Sequence, residues 1–148
     1  MSKYEEADLI LKLYELRREA TMRQARDWYV RDFNPESAAD VQAAMFGEQG
    51  GYLRMVLSYW EMAAALVNRG AIDVDLFDEA NSEHILAFAK IEPLLGELRA
   101  SLTPRFAVSL EKMIDAIPDG RQRAADMRER VKAVRSQRAA RQSQTASA

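Results

Sequence analysis

The sequence contains no cysteine and only one histidine, His84, among its 148 residues. The absence of cysteine excludes disulfide bridges, thiolate metal sites and cysteine nucleophiles. A single imidazole cannot form a histidine-rich metal site, and it supplies only one imidazole base. Several common kinds of catalytic centre therefore cannot be built within one chain.

Long apolar runs are absent as well. The apolar run from Met62 to Val67 is much shorter than the ~18 to 20 residues that a membrane-spanning helix needs. The first residues, MSKYEEADLILKLYELRRE, are acidic where a secretory signal has a basic start and an unbroken apolar stretch. We therefore expect no transmembrane segment and a cytoplasmic location.

Glycine and proline are scarce, with six and four residues, and most of them lie where helices are expected to begin or end. These positions of glycine and proline predict an all-α fold, a compact helical bundle of about five to six helices. The bundle is expected to be one domain at residues 1–120. Residues 121–148 are expected to form a basic C-terminal helix, to about residue 141, with a frayed or disordered tail.

The segment from Gly50 to Gly70 predicts the central helix of the bundle. Apolar residues follow helical spacing around most of its circumference, and only a thin polar seam through Arg54, Ser58 and Glu61 remains. Gly70 is well placed to end this helix in the left-handed conformation. A helix of this kind must be covered by its neighbours.

The remaining helices are placed by capping signals. We expect a first helix from about Tyr4 to Asp32, and a short one that starts at Asn34-Pro35-Glu36 and ends near Phe46. Asp73 or Asp75 should cap a helical turn, and Asn81 or Ser82 should start the next helix.

Two prolines mark the rest of the bundle. Pro93 should kink the helix in which it lies because it removes a backbone amide. Thr103-Pro104 should open a helix whose buried stripe is Phe106, Leu110, Met113 and Ile117.

Charge is distributed unevenly along the chain. Residues 1–120 contain 13 Lys/Arg and 21 Asp/Glu, a balance of −8, whereas residues 121–148 contain 8 and 2, a balance of +6. The cations of the C-terminal helix are the candidate anion-binding residues Arg121, Arg123, Arg128, Arg130, Lys132, Arg135, Arg138 and Arg141. A helix with these cations would bind nucleic acid or an anionic membrane. The other interpretation is a solvated helix that compensates the acidic body or joins a partner helix.

Few residues suggest reaction chemistry. Glu79 and Glu83 are four residues apart with His84 adjacent, so together they would offer three oxygen or nitrogen ligands to a cation. A solvated acidic face, with His84 at its boundary, is the other interpretation. Glu61, inside an apolar helix, is either a buried acid with a raised pKa, in an enzymatic or ligand-binding role, or a residue that faces water or pairs with an arginine such as Arg99 or Arg18. We predict no catalytic residue, no metal and no cofactor.

The run YLRMVLSYWEMAAALVNRGAIDVDLFDE, followed by IEPLLGELRA, carries a resemblance. It is similar to a bacterial all-helical family known only as a domain of unknown function, over roughly residues 4–100. The matching positions are Tyr59, Trp60, Glu61, Arg69, Gly70, Ile72, Asp73, Leu76, Phe77, Pro93 and Arg99. The resemblance implies a polar lattice of Glu61, Arg69, Asp73 and Arg99 that ties helices together, and it implies no activity.

Three functions follow from these patterns. The first is a non-enzymatic interaction or regulatory module that binds a protein partner or another copy of itself. The second is a binder of nucleic acid or an anionic surface through residues 121–141. The third and weakest is a small-molecule or metal-dependent enzyme that uses Glu61 or the cluster of Glu79, Glu83 and His84.

Overall fold

The computed structural model describes residues 2–147, and this part of the chain is helical without any strand. Its nine α-helices are α1 (Lys3–Arg18), α2 (Ala20–Arg31), α3 (Ala38–Phe46), α4 (Gly50–Asn68), α5 (Val74–Ala80), α6 (Glu83–Ile91), α7 (Leu95–Ser101), α8 (Val108–Ala116) and α9 (Gly120–Ala146). The predicted all-α class is confirmed. The predicted number of five to six helices is wrong, because short breaks divide segments that the apolar spacing joins.

Helix α4 lies at the centre of the bundle, between α2 and α8, and also contacts α3, α5 and α6. Leu53, Trp60 and Ala63 of this helix are completely buried. The Trp60 ring packs against Tyr59 and Phe77 in edge-to-face arrangements. The prediction of a central apolar helix is therefore confirmed.

The predicted first helix is in fact two helices that meet at Glu19. The backbone of Glu19 is extended, with φ −57° and ψ 142°, and its carboxylate accepts hydrogen bonds from the amides of Thr21 and Met22. These bonds cap α2 and turn the chain, so that both helices can pack on the core. The pKa of the Glu19 carboxyl is lowered by the same hydrogen bonds.

The predicted start of α3 is also wrong. The helix begins at Ala38, where Ser37 and Asp40 form a reciprocal capping box. Asn34 instead donates its side-chain amide to the carbonyl oxygen of Arg31, at the end of α2. Two cap signals lie close together in this segment, and the second one starts the helix.

The predicted helix end at Gly70 and the predicted cap at Asp73 are both present. Gly70 has a φ of +82°, just after the end of α4. The Asp73 carboxylate accepts from the amide of Leu76 and caps α5. Near Pro93 the helix is interrupted by a 3-10 turn, Glu92–Leu94, between α6 and α7.

The start of α8 differs from the prediction. Thr103 and Pro104 lie in a turn, and α8 starts only at Val108, behind Ala107, whose φ is +54°. Phe106 is consequently only half-buried. The rest of the predicted stripe is buried, and it consists of Leu110, Met113 and Ile117.

Helix α9 starts at Gly120, which fits closely against α8, since a Cβ atom there would collide with the carbonyl oxygen of Ile114. The helix continues to Ala146. Residues 142–146, predicted as a frayed tail, are therefore part of the helix. Their Ala, Gln, Ser and Thr residues include no glycine or proline that would stop it.

Candidate functional site on the C-terminal helix

Helix α9 has two halves in different environments. The first, which we call the docked half, is residues 120–131, and it packs mainly against α6. Ala124 is completely buried, and Met127 is half-buried against the core. The second, which we call the arm, is residues 132–146, and every residue in it is exposed. The apolar residues on one strip of α9, which are Ala124, Met127, Val131 and Val134, are therefore buried only at the start of the helix.

Arginines of the docked half are bound by carboxylates of the body. Arg121 donates to Asp115, Glu92 and Glu111 at 2.6, 2.8 and 2.9 Å. The hydrogen bond from Arg121 holds the pKa of the Asp115 carboxyl below its usual range. In turn, the three acidic partners of Arg121 raise the pKa of its guanidinium group. Arg128 donates to Glu92 at 2.7 Å and to the carbonyl oxygen of Ala89 at 3.0 Å.

Arg123 is linked through Asp78 to a buried histidine, His84. It donates to Asp78 at 2.7 Å, and the other oxygen of Asp78 lies 2.9 Å from Nε2 of His84. Burial alone would raise the pKa of Asp78, but the hydrogen bonds from Arg123 and His84 lower it overall. The docked half thus neutralises acidic groups of α5, α8 and the 3-10 turn.

The arm carries positive charge and no carboxylate. Its cations are Lys132, Arg135, Arg138 and Arg141. Lys132 makes one loose, exposed ion pair with Glu129 at 3.4 Å. Within residues 2–147, no ion pair forms at the other three, nor at Arg130 in the docked half. Four of the eight candidate anion-binding residues therefore have unpaired guanidinium groups.

A cleft of about 520 Å³ opens where α9 leaves the body. The loop after α2, the junction of α6 with the 3-10 turn, and α9 form its walls. Its apolar lining includes Pro35, Pro93, Leu94 and Val131. Its charged lining comprises Glu36, Lys90, Arg128, Lys132 and Arg135.

Lys90, beneath this cleft, is only 6% exposed. Its ammonium group donates to the carbonyl oxygens of Tyr29, Val30 and Phe33 at 2.7, 2.9 and 2.7 Å, and Oδ1 of Asn34 lies 3.2 Å away. Burial lowers the pKa of Lys90 to about 8, and the positive charge of Arg135 acts in the same direction. Lys90 thus satisfies carbonyl groups at the C-terminal end of α2, as a cap does.

The four residues of the predicted polar lattice do not come together. Within the described residues, no hydrogen bond or ion pair joins any two of Glu61, Arg69, Asp73 and Arg99. Asp73 caps α5, and Arg69 is exposed at the end of α4. Arg99 donates to the carbonyl oxygen of Phe106 at 2.9 Å and pairs with Glu111 at 2.9 Å.

Glu61 has a different structural role from either of those predicted. Its two carboxylate oxygens accept from the backbone amides of Ser109 and Leu110, at 3.0 and 2.7 Å. These amides belong to the first turn of α8, which has no side-chain cap of its own. Glu61 of α4 therefore caps another helix across the bundle.

Glu79, Glu83 and His84 do not converge. Glu79 is exposed, whereas Glu83 is bound by Arg26 with contacts of 2.8 and 2.7 Å. His84 is not at a boundary but completely buried, and its partner is Asp78. Among residues 2–147, no three His, Asp or Glu side chains are grouped as metal ligands would be. In the same range no helix is long and apolar enough to cross a membrane.

Sequence reasoning overlooked Lys90 and Asp78, the two polar residues on which these buried connections depend. A lysine between Ala89 and Ile91, in the apolar run EHILAFAKI of α6, was the signal for Lys90. A charged group at a core position requires partners. Its partners, however, are backbone carbonyls about 60 residues earlier, which no local pattern reveals.

A family model described as Domain of unknown function (DUF4760) matches residues 4–117. This match extends beyond the predicted limit near residue 100 and includes α8, but it ends before α9. No curated protein and no solved structure matches the chain.

Proposed function

The chain belongs to the DUF4760 family, and on this premise we propose that it is a non-enzymatic interaction module. In this proposal the helices up to residue 117 form a scaffold that holds α9. The arm is the element that binds, and its partner is a protein with an acidic surface. The single observation that carries the proposal is that every residue of the arm is exposed, while its cations have no carboxylate partner among residues 2–147 except Glu129.

The docked half explains why the arm is positioned rather than loosely attached. Arg121, Arg123 and Arg128 fix the start of α9 to four carboxylates of the body. The arm continues the same helix, so its direction is set by these contacts. Binding then orders a helix whose start is already fixed, which costs less conformational entropy than ordering a tail with no fixed start.

The experiment compares two variants with the same change in charge. Arg135→Gln/Arg138→Gln/Arg141→Gln neutralises the arm, and Lys3→Gln/Arg23→Gln/Arg105→Gln neutralises three exposed cations of the body. Proteins captured from the soluble proteome by the full chain should be lost with the first variant and kept with the second. A partner that binds both variants equally would contradict the proposal.

A second candidate function is binding to nucleic acid or an anionic membrane, favoured by the spread of the arm's cations around the helix. Each cation at a phosphate releases counterions, so this binding would weaken steeply with salt. Duplex DNA and phosphatidylglycerol vesicles are the probes. Salt-dependent binding to either, lost in the arm variant alone, would favour this function, and no binding would remove it.

A further inference from the structure

The cleft at the base of the arm shares Lys132 and Arg135 with the arm, but its other walls belong to the docked half and the body. Its volume of about 520 Å³ lies within the range of small-molecule sites. Its lining combines apolar residues, which are Pro35, Pro93, Leu94 and Val131, with cationic ones on α9. An occupant that matches this mixed lining has an apolar body and an anionic group.

The cations of the cleft lie on one face of α9. Arg128, Lys132 and Arg135 stand at positions i, i+4 and i+7, so their side chains follow one another along that face. Arg138 and Arg141 are rotated progressively away from it, and neither lines the cleft. The helix therefore separates its cations into a group facing the cleft and a group facing elsewhere.

Much of this positive charge is uncompensated. Arg128 is paired with Glu92, but Arg135 has no ion pair, and no carboxylate lies within ion-pair distance of Lys90, among the residues that the structure describes. Among residues 2–147, the one acid in the lining is Glu36. An anion placed here would gain charge-assisted hydrogen bonds from Lys132 and Arg135 without breaking a strong ion pair.

We propose that this cleft binds a phosphate monoester that carries an apolar group. Lys132 and Arg135 would hold the phosphate, since Arg135 forms no ion pair among residues 2–147 and Lys132 has only the loose, exposed pair with Glu129. Pro35, Pro93, Leu94 and Val131 would contact the apolar group. This site goes beyond the proposed function and does not depend on it.

The test is calorimetric titration of the full chain with phenyl phosphate, with benzyl alcohol as the neutral probe. Lys132→Gln/Arg135→Gln is the variant of the cleft, and Arg138→Gln/Arg141→Gln is its control, with the same loss of charge on the same helix. We expect saturable binding of phenyl phosphate that weakens about tenfold or more in the first variant and less than about twofold in the second. We expect no binding of benzyl alcohol at the same concentrations.

A second measurement locates the ligand. Phenyl phosphate should shift the amide resonances of Asn34, Glu36 and residues 128–135, and leave those of residues 138–146 nearly unchanged. Competition by phosphatidate vesicles would place the natural phosphate on a lipid headgroup, whereas binding without such competition would place it on a soluble molecule. Both results support a phosphate site in the cleft.

Three results would overturn it: no saturable binding up to about 10 mM phenyl phosphate, equal weakening by both variants, or equal affinity for benzyl alcohol. Equal weakening would indicate diffuse attraction to the whole helix. The proposed function fails or stands by a different measurement, the capture of a protein partner. Its variant also neutralises Arg138 and Arg141, which do not line the cleft.

Discussion

At the scale of single residues, Lys90 shows how a buried charge can complete a helix end. The last carbonyl groups of a helix have no partner within it, and burying them unpaired is costly. In α2, Tyr29 and Val30 leave such groups in the interior, and the ammonium of Lys90 reaches both. The lysine is thus a structural part of the bundle, although its residue type suggests a surface position.

Replacing Lys90 by methionine should lower the free energy of unfolding by about 2 to 3 kcal/mol, because the carbonyls at the end of α2 lose their donor. Methionine keeps a similar length and no charge, so the loss reports mainly on hydrogen bonding. Urea denaturation at pH 7 measures it. Lys112→Met, at an exposed position of α8, is the control and should change the stability little. Equal stability of both variants would contradict the capping role.

His84 leads to a prediction about pH. Its Nε2 faces Asp78, and Nδ1 is buried with no hydrogen-bond partner in the described part of the chain. Burial lowers the pKa of His84 below its ordinary 6.5, although the bond to Asp78 opposes the shift. Between the folded pKa and 6.5 the unfolded chain binds more protons. The stability that neutral His84 contributes is therefore present above pH 6.5 and is lost as the pH falls through the folded pKa.

The measurement is the urea midpoint from pH 7.5 to 5. His84→Gln keeps a donor near Asp78 but cannot titrate, so its stability should depend less on pH in this interval than that of the unchanged protein. If the two pH profiles are parallel, other groups cause the loss, and the role assigned to His84 is wrong.

Residue-scale signals were predictable where they act within a few positions. Asp73 and Gly70 have the roles that their local sequence predicts, because a cap and a C-terminal glycine act on the adjacent turn. Glu61 acts on amides about 48 positions later, and Lys90 on carbonyls about 60 positions earlier. The identities of such partners depend on the packing of the helices, which a single sequence does not supply.

At the scale of helices, the bundle is joined by caps that one helix provides for another. The first turn of α8 follows Ala107 in the left-handed conformation, so no side chain at its start accepts from its free amides. Glu61 brings a negative charge to this positive helix end. The polar seam of α4 thus contains the contact that positions α8.

Glu61→Ala should lower the free energy of unfolding by about 1 to 2 kcal/mol, since it removes the cap of α8. Amide hydrogen exchange at Ser109 and Leu110 should accelerate more than exchange in α2. Glu79→Ala, which removes an exposed glutamate of α5, is the control and should have little effect. Unchanged exchange at Ser109 and Leu110 would show that Glu61 does not hold this helix end.

The helix count was predicted wrongly for a physical reason. Apolar spacing continues from α1 into α2, and the chain between them contains no glycine or proline. The break depends on Glu19, a residue that favours helix interiors yet here caps the following helix. Periodicity therefore identified the buried faces better than it identified the ends.

Across the molecule, the acidic body neutralises the positive charge of only one half of α9. Three arginines of the docked half, Arg121, Arg123 and Arg128, are paired with carboxylates of α5, α8 and the 3-10 turn. The arm extends past those carboxylates and keeps its charge exposed. A short helical segment whose residues are all exposed gains little stability from packing, so the arm should open far more readily than the docked half.

Residue-resolved amide hydrogen exchange along α9, in the free and monomeric protein, tests this division most directly. We expect protection in residues 124–131 close to that of α6, and a steep fall from residue 132 onward. Strong protection continuing to Ala146 would mean that the arm is covered rather than free, and it would contradict both the division of α9 and the interaction proposed for its arm.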